Sequence, residues 1–437
     1  MTSSTLLETE PLSAEEQTLE KVARILRKGI MTQAVITVAL FLLTVFLPAT
    51  LLESLRALML ANFGADAETS FVAVILVMLF NISLFLVLMV GVLSREIWAF
   101  IATGIILLVN GALLVTWGFI PLIIPMIFLA WALAMMFPSL SIFRTNPITL
   151  KELRGRMRGA RAFLVLTVYL GLMSGFMLLI YFLQRSAVIY ANSVATGEVG
   201  RILFMSVVGI ELLLIIFITP GFTSGAITSE REHQTYDLLR TTLIAPSTFI
   251  IGKLESALGY VFLLLLAGIP LQSVAFLFGG ISELEIILSL VVLLATAMAL
   301  GAVGIYFSAV YPKTFTANIR AHSTVIGVIV GSIAVSFILE LFYGMLVFNG
   351  TMPNSLVERI LIYARTILQS INPILASLTS QSIWSEYQSI SFWNYTLVSD
   401  GSTMPLISPW LLFTLIYLGG AACLLILAIR RTRSFDQ

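Results

Sequence analysis

From about residue 30 onwards the chain alternates long apolar stretches with short polar ones. Ten apolar stretches reach about 20 residues, near 30–52, 71–93, 97–117, 119–142, 162–184, 202–226, 256–278, 286–310, 323–348 and 409–429. A helix of about 20 residues covers roughly 30 Å of hydrocarbon, so each stretch predicts a membrane-spanning helix. The stretches are continuously apolar, whereas barrel strands alternate apolar and polar residues. The pattern therefore predicts an all-α polytopic membrane protein. Only Gly118 and its neighbours part the third span from the fourth.

Ahead of the first span, Ser13 and Glu16 form a capping-box pattern that starts a helix through Lys28. Leu19, Val22 and Leu26 share one face of it, Lys21, Arg24, Arg27 and Lys28 make its end basic, and Gly29 follows. Two readings fit: an amphipathic helix (1–29) on the cytoplasmic membrane surface, or a plain extension of the first span. Other basic groups gather in 144–161, at Lys313 and Arg320, and at Arg430, Arg431 and Arg433. The loop after the first span carries Glu53, Arg56, Asp66 and Glu68. Basic loops stay in the cytoplasm. Ten spans with both termini cytoplasmic put all these basic segments on one side. The largest external segment is then 350–408, with an amphipathic helix over Val357–Gln369, Asn372-Pro373, and the aromatic residues Trp384, Trp393 and Tyr395.

Composition fits this pattern. Of 437 residues, 59% are hydrophobic and 11% charged, against about 25% charged in a soluble domain. The net charge of +1 gives no pull toward nucleic acid. One cysteine, Cys423, cannot form an internal disulfide, and two histidines cannot build a Cys/His metal cluster. The expected location is the cell's inner (plasma) membrane, with multiple passes.

The polar stretch Ser229–Lys253 carries the functional argument. It reads SEREHQTYDLLRTTLIAPSTFIIGK and lies between two spans. Charges of both signs and an apolar side at Leu238, Leu239 and Leu243 suit a short amphipathic helix that docks on a partner; a solvated loop helix is the plainer reading. The stretch resembles the cytoplasmic segment of type 2 ATP-binding-cassette (ABC) exporter permeases. Glu230, Arg231, Glu232, Thr235, Leu238, Leu239, Thr241, Leu243, Pro246, Gly252 and Lys253 match the family pattern, and Thr242 stands where the family usually has proline. The resemblance implies that 229–245 is a coupling helix contacting an ATPase subunit.

A second segment, Asn146-Pro-Ile-Thr-Leu-Lys-Glu-Leu-Arg-Gly-Arg-Met-Arg-Gly, resembles the family's connecting (elbow) helix, placed at 144–161. Asn146 and Pro147 suit a helix start. Lys151, Arg154, Arg156 and Arg158 suit anionic lipid headgroups, although a basic loop that only sets topology accounts for the same charges. Asn372-Pro373 resembles the family's external element, whose short helices help close the outer side. The resemblance covers about 143–437, a six-span core over 162–437. It leaves 30–143, a four-span unit, without a role. It implies a second permease copy or a related chain, an ABC ATPase subunit carrying ATP and Mg²⁺, and a path between two six-span cores.

No G-x-x-x-x-G-K-[ST] phosphate loop, H-E-x-x-H or G-x-S-x-G occurs. The expectation is no enzyme and no cofactor in this chain, with ATP hydrolysis on a partner subunit. Glu211 in the sixth span and Glu340 in the outer half of the ninth are candidates for a substrate path, or for pairing with Arg185 or Arg201. His233 and His322 fall in predicted cytoplasmic segments and read as solvated or helix-end groups. An ion-coupled secondary transporter is a competing reading; Pro220-Gly221 and Pro270 would be its helix interruptions. A non-transporting membrane scaffold is a third.

Overall fold

A computed structural model describes residues 14–46, 67–117, 120–143, 146–157, 160–191, 196–236, 245–349, 355–387 and 392–433. Two compact units emerge, Met1–Thr145 and Asn146–Gln437. Among the described residues, eight helices are long and apolar enough to cross a membrane. The protein is an all-α, multi-pass membrane protein. Those eight overlie the predicted spans from 97–117 to 409–429. The first two predicted spans fall on α1 (Ala14–Phe46) and α2 (Ala67–Leu93), with 47–52 of the first outside the described residues.

The first unit continues with α3 (Ile97–Trp117) and α4 (Ile123–Met136), which a 3-10 turn at Ile120–Leu122 precedes. Helix α1 does not end at Gly29. It runs through the glycine without a break, as in the extension reading. Its packed stripe is Leu19, Val22, Leu26, Gly29, Gln33 and Thr37, the three- and four-residue spacing of one helix face. A Cβ on Gly29 would stand 2.6 Å from the Phe85 ring, so this glycine serves helix packing and is not a stop signal. Phe85, Leu88, Leu129 and Met136 complete the core. Between α2 and α3, Asn110 donates to Asn81 at 2.8 Å, which pairs two carboxamides inside apolar surroundings.

The second unit comprises α5 (Pro147–Met157), α6 (Ala160–Ala191), α7 (Thr196–Ser224), α8 (Thr228–Glu232), α9 (Pro246–Leu277), α10 (Glu283–Val310), α11 (Thr314–Phe348), α12 (Ser355–Ile371), α13 (Pro373–Tyr387), the strands β1 (Phe392–Thr396) and β2 (Thr403–Ile407), and α14 (Pro409–Arg433). Its core lies where α7, α9 and α10 meet, around Leu203, Val207, Leu212, Leu264 and Leu293. Pro220 and Pro270 sit inside α7 and α9, and neither breaks its helix. Because the long helices alternate in direction, Lys151, Arg231, Lys253, Lys313, Arg430 and Arg431 gather at one end, hereafter the basic end. The N-termini of α7 and α10 meet at the opposite end, where Arg201 donates to the Gly280 carbonyl at 3.1 Å.

Helices α12 and α13 form a hairpin that re-enters the bundle. Tyr343 near the end of α11 bonds Glu358 at 3.0 Å, and Arg365 pairs with Glu340 at 2.7 Å. Asn372 at the hairpin's apex donates to the Ile329 carbonyl and to Ser332, each at 2.8 Å. Ile329 lies 19 residues before Phe348, roughly 28 Å back along α11. The hairpin therefore reaches the middle of the spans. Asn372 also caps α13 by accepting from Ile374 N and Leu375 N. Helix α12 is amphipathic in the inverted sense: Glu358, Ile362, Thr366 and Ser370 face inward, while Leu356, Ile360, Tyr363 and Ile367 face out. An apolar outer face suits hydrocarbon.

The strands are an addition to the predicted architecture. They pair antiparallel with Trp393 opposite Leu406. Their link turns at Gly401, whose φ of +69° L side chains rarely adopt. The Asp400-Gly401 pair between β-rich flanks is the sequence signal for this hairpin.

Candidate functional site

Helix α5 starts as the Asn-Pro pair requires. Asn146 accepts from Ile148 N at 3.0 Å and donates to the Thr248 carbonyl at 2.6 Å. The same side chain thus caps α5 and pins it to the first turn of α9. A Cβ on Gly252 would stand 2.6 Å from Asn146 Nδ2, so the close approach needs glycine there. Further along, Thr149 donates to Glu255 at 2.7 Å, and Ser256 donates to Glu152 at 3.1 Å. Leu153 Cδ1 lies 3.2 Å from where a Gly259 Cβ would be. The contacted α9 positions, 248, 252, 255, 256 and 259, form one helix face. Of the basic residues assigned to the elbow, Lys151 and Arg154 are exposed. Arg158 lies outside the described residues.

Lys253 is the hub of this end. Its side chain is 5% exposed. The ammonium donates to Glu230 at 2.7 Å and also to Glu152. A buried ammonium needs such partners, because desolvation without them is costly. Lys253 therefore ties α8 to α5 from its place on α9.

Glu230, Arg231 and Glu232 point to three different helices. Glu230 takes Lys253 and the Thr235 hydroxyl. Arg231 donates to the carbonyls of Ala309 and Tyr311 at 3.2 and 3.3 Å, where the C-terminus of α10 leaves acceptors without helical partners. Glu232 accepts from Thr314 N at 2.9 Å and from Thr314 Oγ1 at 2.7 Å, capping the N-terminus of α11. Backbone amides of Ile227 and Thr228 both donate to buried Ser308 on α10, at 2.9 and 3.1 Å. Three helices, α9, α10 and α11, thus hold a five-residue helix directly, and α5 joins them through Lys253. The residues read as partner contacts are in large part internal fasteners. His233 and Gln234 are the exposed positions beside them. Leu238, Leu239 and Leu243 lie outside the described residues.

Within the spans, Glu211 on α7 is buried. It accepts from Gln272 Nε2 at 2.7 Å and lies 3.5 Å from the Tyr169 hydroxyl. Beside it is a space of about 10 Å³, close to one water. Its partners are neutral, and Arg201 bonds Gly280 instead. Glu340 pairs with Arg365 on α12; the Arg185 side chain lies outside the described residues. His322 is not a helix-end group: it lies two turns inside α11, with Nε2 3.0 Å from the Phe217 carbonyl of α7. Among the described residues no three His, Cys, Asp or Glu side chains group as metal ligands would.

One feature of α11 has a sequence signal that the span pattern hides. Gly327-Val-Ile-Val-Gly331 is a G-x-x-x-G motif. Residues Val325 and Ile329 pack inward. Gly327 and Gly331, two positions later, point the opposite way, and a Cβ on either would meet nothing within 4 Å.

No family model, curated protein or solved structure matches the chain.

Proposed function

We propose that the protein is the membrane-spanning permease subunit of an ATP-driven ABC transporter, an exporter working with separate ATPase subunits. The observation that carries this reading is the seating of α8. Three consecutive charged side chains link a short helix to α9, α10 and α11, and Lys253 carries the link on to α5. Force applied there reaches four helices at once, which is what coupling to a moving partner requires. ATP and Mg²⁺ belong to that partner. The basic end is then cytoplasmic. A second copy, or a related chain, packs against the open face of α11 around Gly327 and Gly331, and the path runs between the two six-span cores. The substrate reaches that path from the membrane or the cytoplasm.

Co-purification tests the reading. An ATPase subunit comes down with the wild type. It is lost from a Leu238→Asp, Leu239→Asp variant whose unfolding midpoint is unchanged. The absence of any ATPase partner for the wild type would sink the proposal. Buried Glu211 is the one observation that favours the ion-coupled alternative. Transport that runs on a proton gradient without ATP, and stops in Glu211→Gln, would select it.

A further inference from the structure

Between the returning helix α13 and the bundle is a cavity of about 80 Å³. Its walls come from α7, α10 and α13, with Trp410 at the start of α14. We propose that it holds the end of one acyl chain from a bilayer lipid. The inference is independent of the transport reading.

Depth supports this occupant. The α10 residues in the wall, Ser289 and Val292, lie roughly 9 and 13 Å from the helix start at Glu283. The α7 residues, from Phe204 to Leu212, lie roughly 12–24 Å from Thr196. Those N-termini are level with each other at Gly280. The cavity thus sits at acyl depth in one leaflet, where lipid tails are the solvent.

Polarity supports it as well. The end nearer the membrane surface is polar, where Gln381 in the wall bonds Glu285 in the first turn of α10. The deeper end is walled by Val292 and Leu212. A lipid of that leaflet has the same order, polar above and apolar below. Among the described residues no Lys or Arg lines the space, so the lining does not select an anionic headgroup, and recognition is of the tail. Of the lining residues Leu378 is the most exposed, at 46%. Gly209 forms an unfilled part of the wall, because a Cβ there would meet nothing within 4 Å. The Ser377 and Ser289 hydroxyls bond carbonyls of their own helices, so the wall needs no bound water to satisfy them.

The cavity is flanked by Trp384 and Trp410, which supply the assay. A background is made in which Trp98, Trp117, Trp131 and Trp393 are Phe. The full chain is reconstituted in phosphatidylcholine vesicles with or without bromine on the acyl chains. Bromine in the cavity quenches the two remaining indoles. Gly209→Leu fills the space and abolishes the quenching that exceeds ordinary lipid contact. Gly171→Leu, on an exposed glycine of α6 with open space around it, leaves quenching unchanged. Ser377→Leu fills the cavity from the opposite wall and gives the same loss, which covers the case where Gly209→Leu folds poorly. Quenching that is equal in the background, Gly209→Leu and Ser377→Leu would overturn the proposal.

Discussion

Replacing Lys253 by Met keeps an aliphatic stem of similar reach and removes only the ammonium. Packing around the stem therefore survives, and the effect isolates the charge. Two charge-assisted hydrogen bonds disappear, to Glu230 and Glu152, each contributing roughly 1.5–3 kcal/mol in a buried setting. The two carboxylates keep 24% and 21% of their side-chain surface exposed. Water recovers part of the loss, so the expected destabilisation is about 2–4 kcal/mol. It is measured by denaturant unfolding of the full chain in detergent, followed by circular dichroism. Lys313→Met, at an exposed position, is the control and shifts stability by no more than about 0.5 kcal/mol. The double variant Glu230→Gln, Lys253→Met should lose less than the sum of its parts, by about 1–2 kcal/mol, because the two groups share one interaction. If Lys253→Met unfolds with the control, the hub is not a hub, and the view that α8 is fastened through Lys253 fails.

Other outcomes follow from the same geometry. Gly252→Ala drives a Cβ to 2.6 Å from Asn146 Nδ2 and should destabilise by roughly 1–3 kcal/mol; in an Asn146→Ala background the same change should be nearly silent in the same unfolding assay. Burial pushes the Glu358 carboxyl up, but hydrogen bonds from Ser399, Val398 N and Tyr343 outweigh it and hold the group below the ordinary glutamate range. With the folded value depressed, this stabilisation is complete above the unfolded value near about pH 4.3 and fades as pH falls through the folded one. Glu358→Gln should lower the unfolding midpoint at pH 7 and flatten its fall below about pH 4; a wild-type acid profile in the variant would contradict the assignment. On the proposed pairing of two copies through α11, Gly327→Leu with Gly331→Leu should turn that dimer into a monomer in detergent, read by light scattering, while leaving the circular dichroism spectrum intact.

The apolar runs from residue 97 onward were long enough to place eight membrane-length helices without any tertiary information, because a backbone in hydrocarbon must bond to itself and a helix does so within one segment. The Asn146-Pro147 helix start and the amphipathic helix before Asn372-Pro373 were legible too, since capping and periodicity are local. The sequence also singled out 229–253 as unusual polar chain between spans. What it could not reveal is where those charges point. Glu230, Arg231 and Glu232 are neighbours in sequence, yet their partners are Lys253, the end of α10 and Thr314. Those partners lie 23 to 82 positions away, so only folded helices bring them together. Gly29 reads locally as a helix stop and is instead a flat place for Phe85. Glu340 reads as a lone acid in a span, and its counterion Arg365 comes only when the hairpin of α12 and α13 folds back beside α11. Local periodicity and backbone hydrogen bonding decide which segments are helices. The pairing of charges in a low-dielectric interior depends on which faces meet, and that was decided by the tertiary structure.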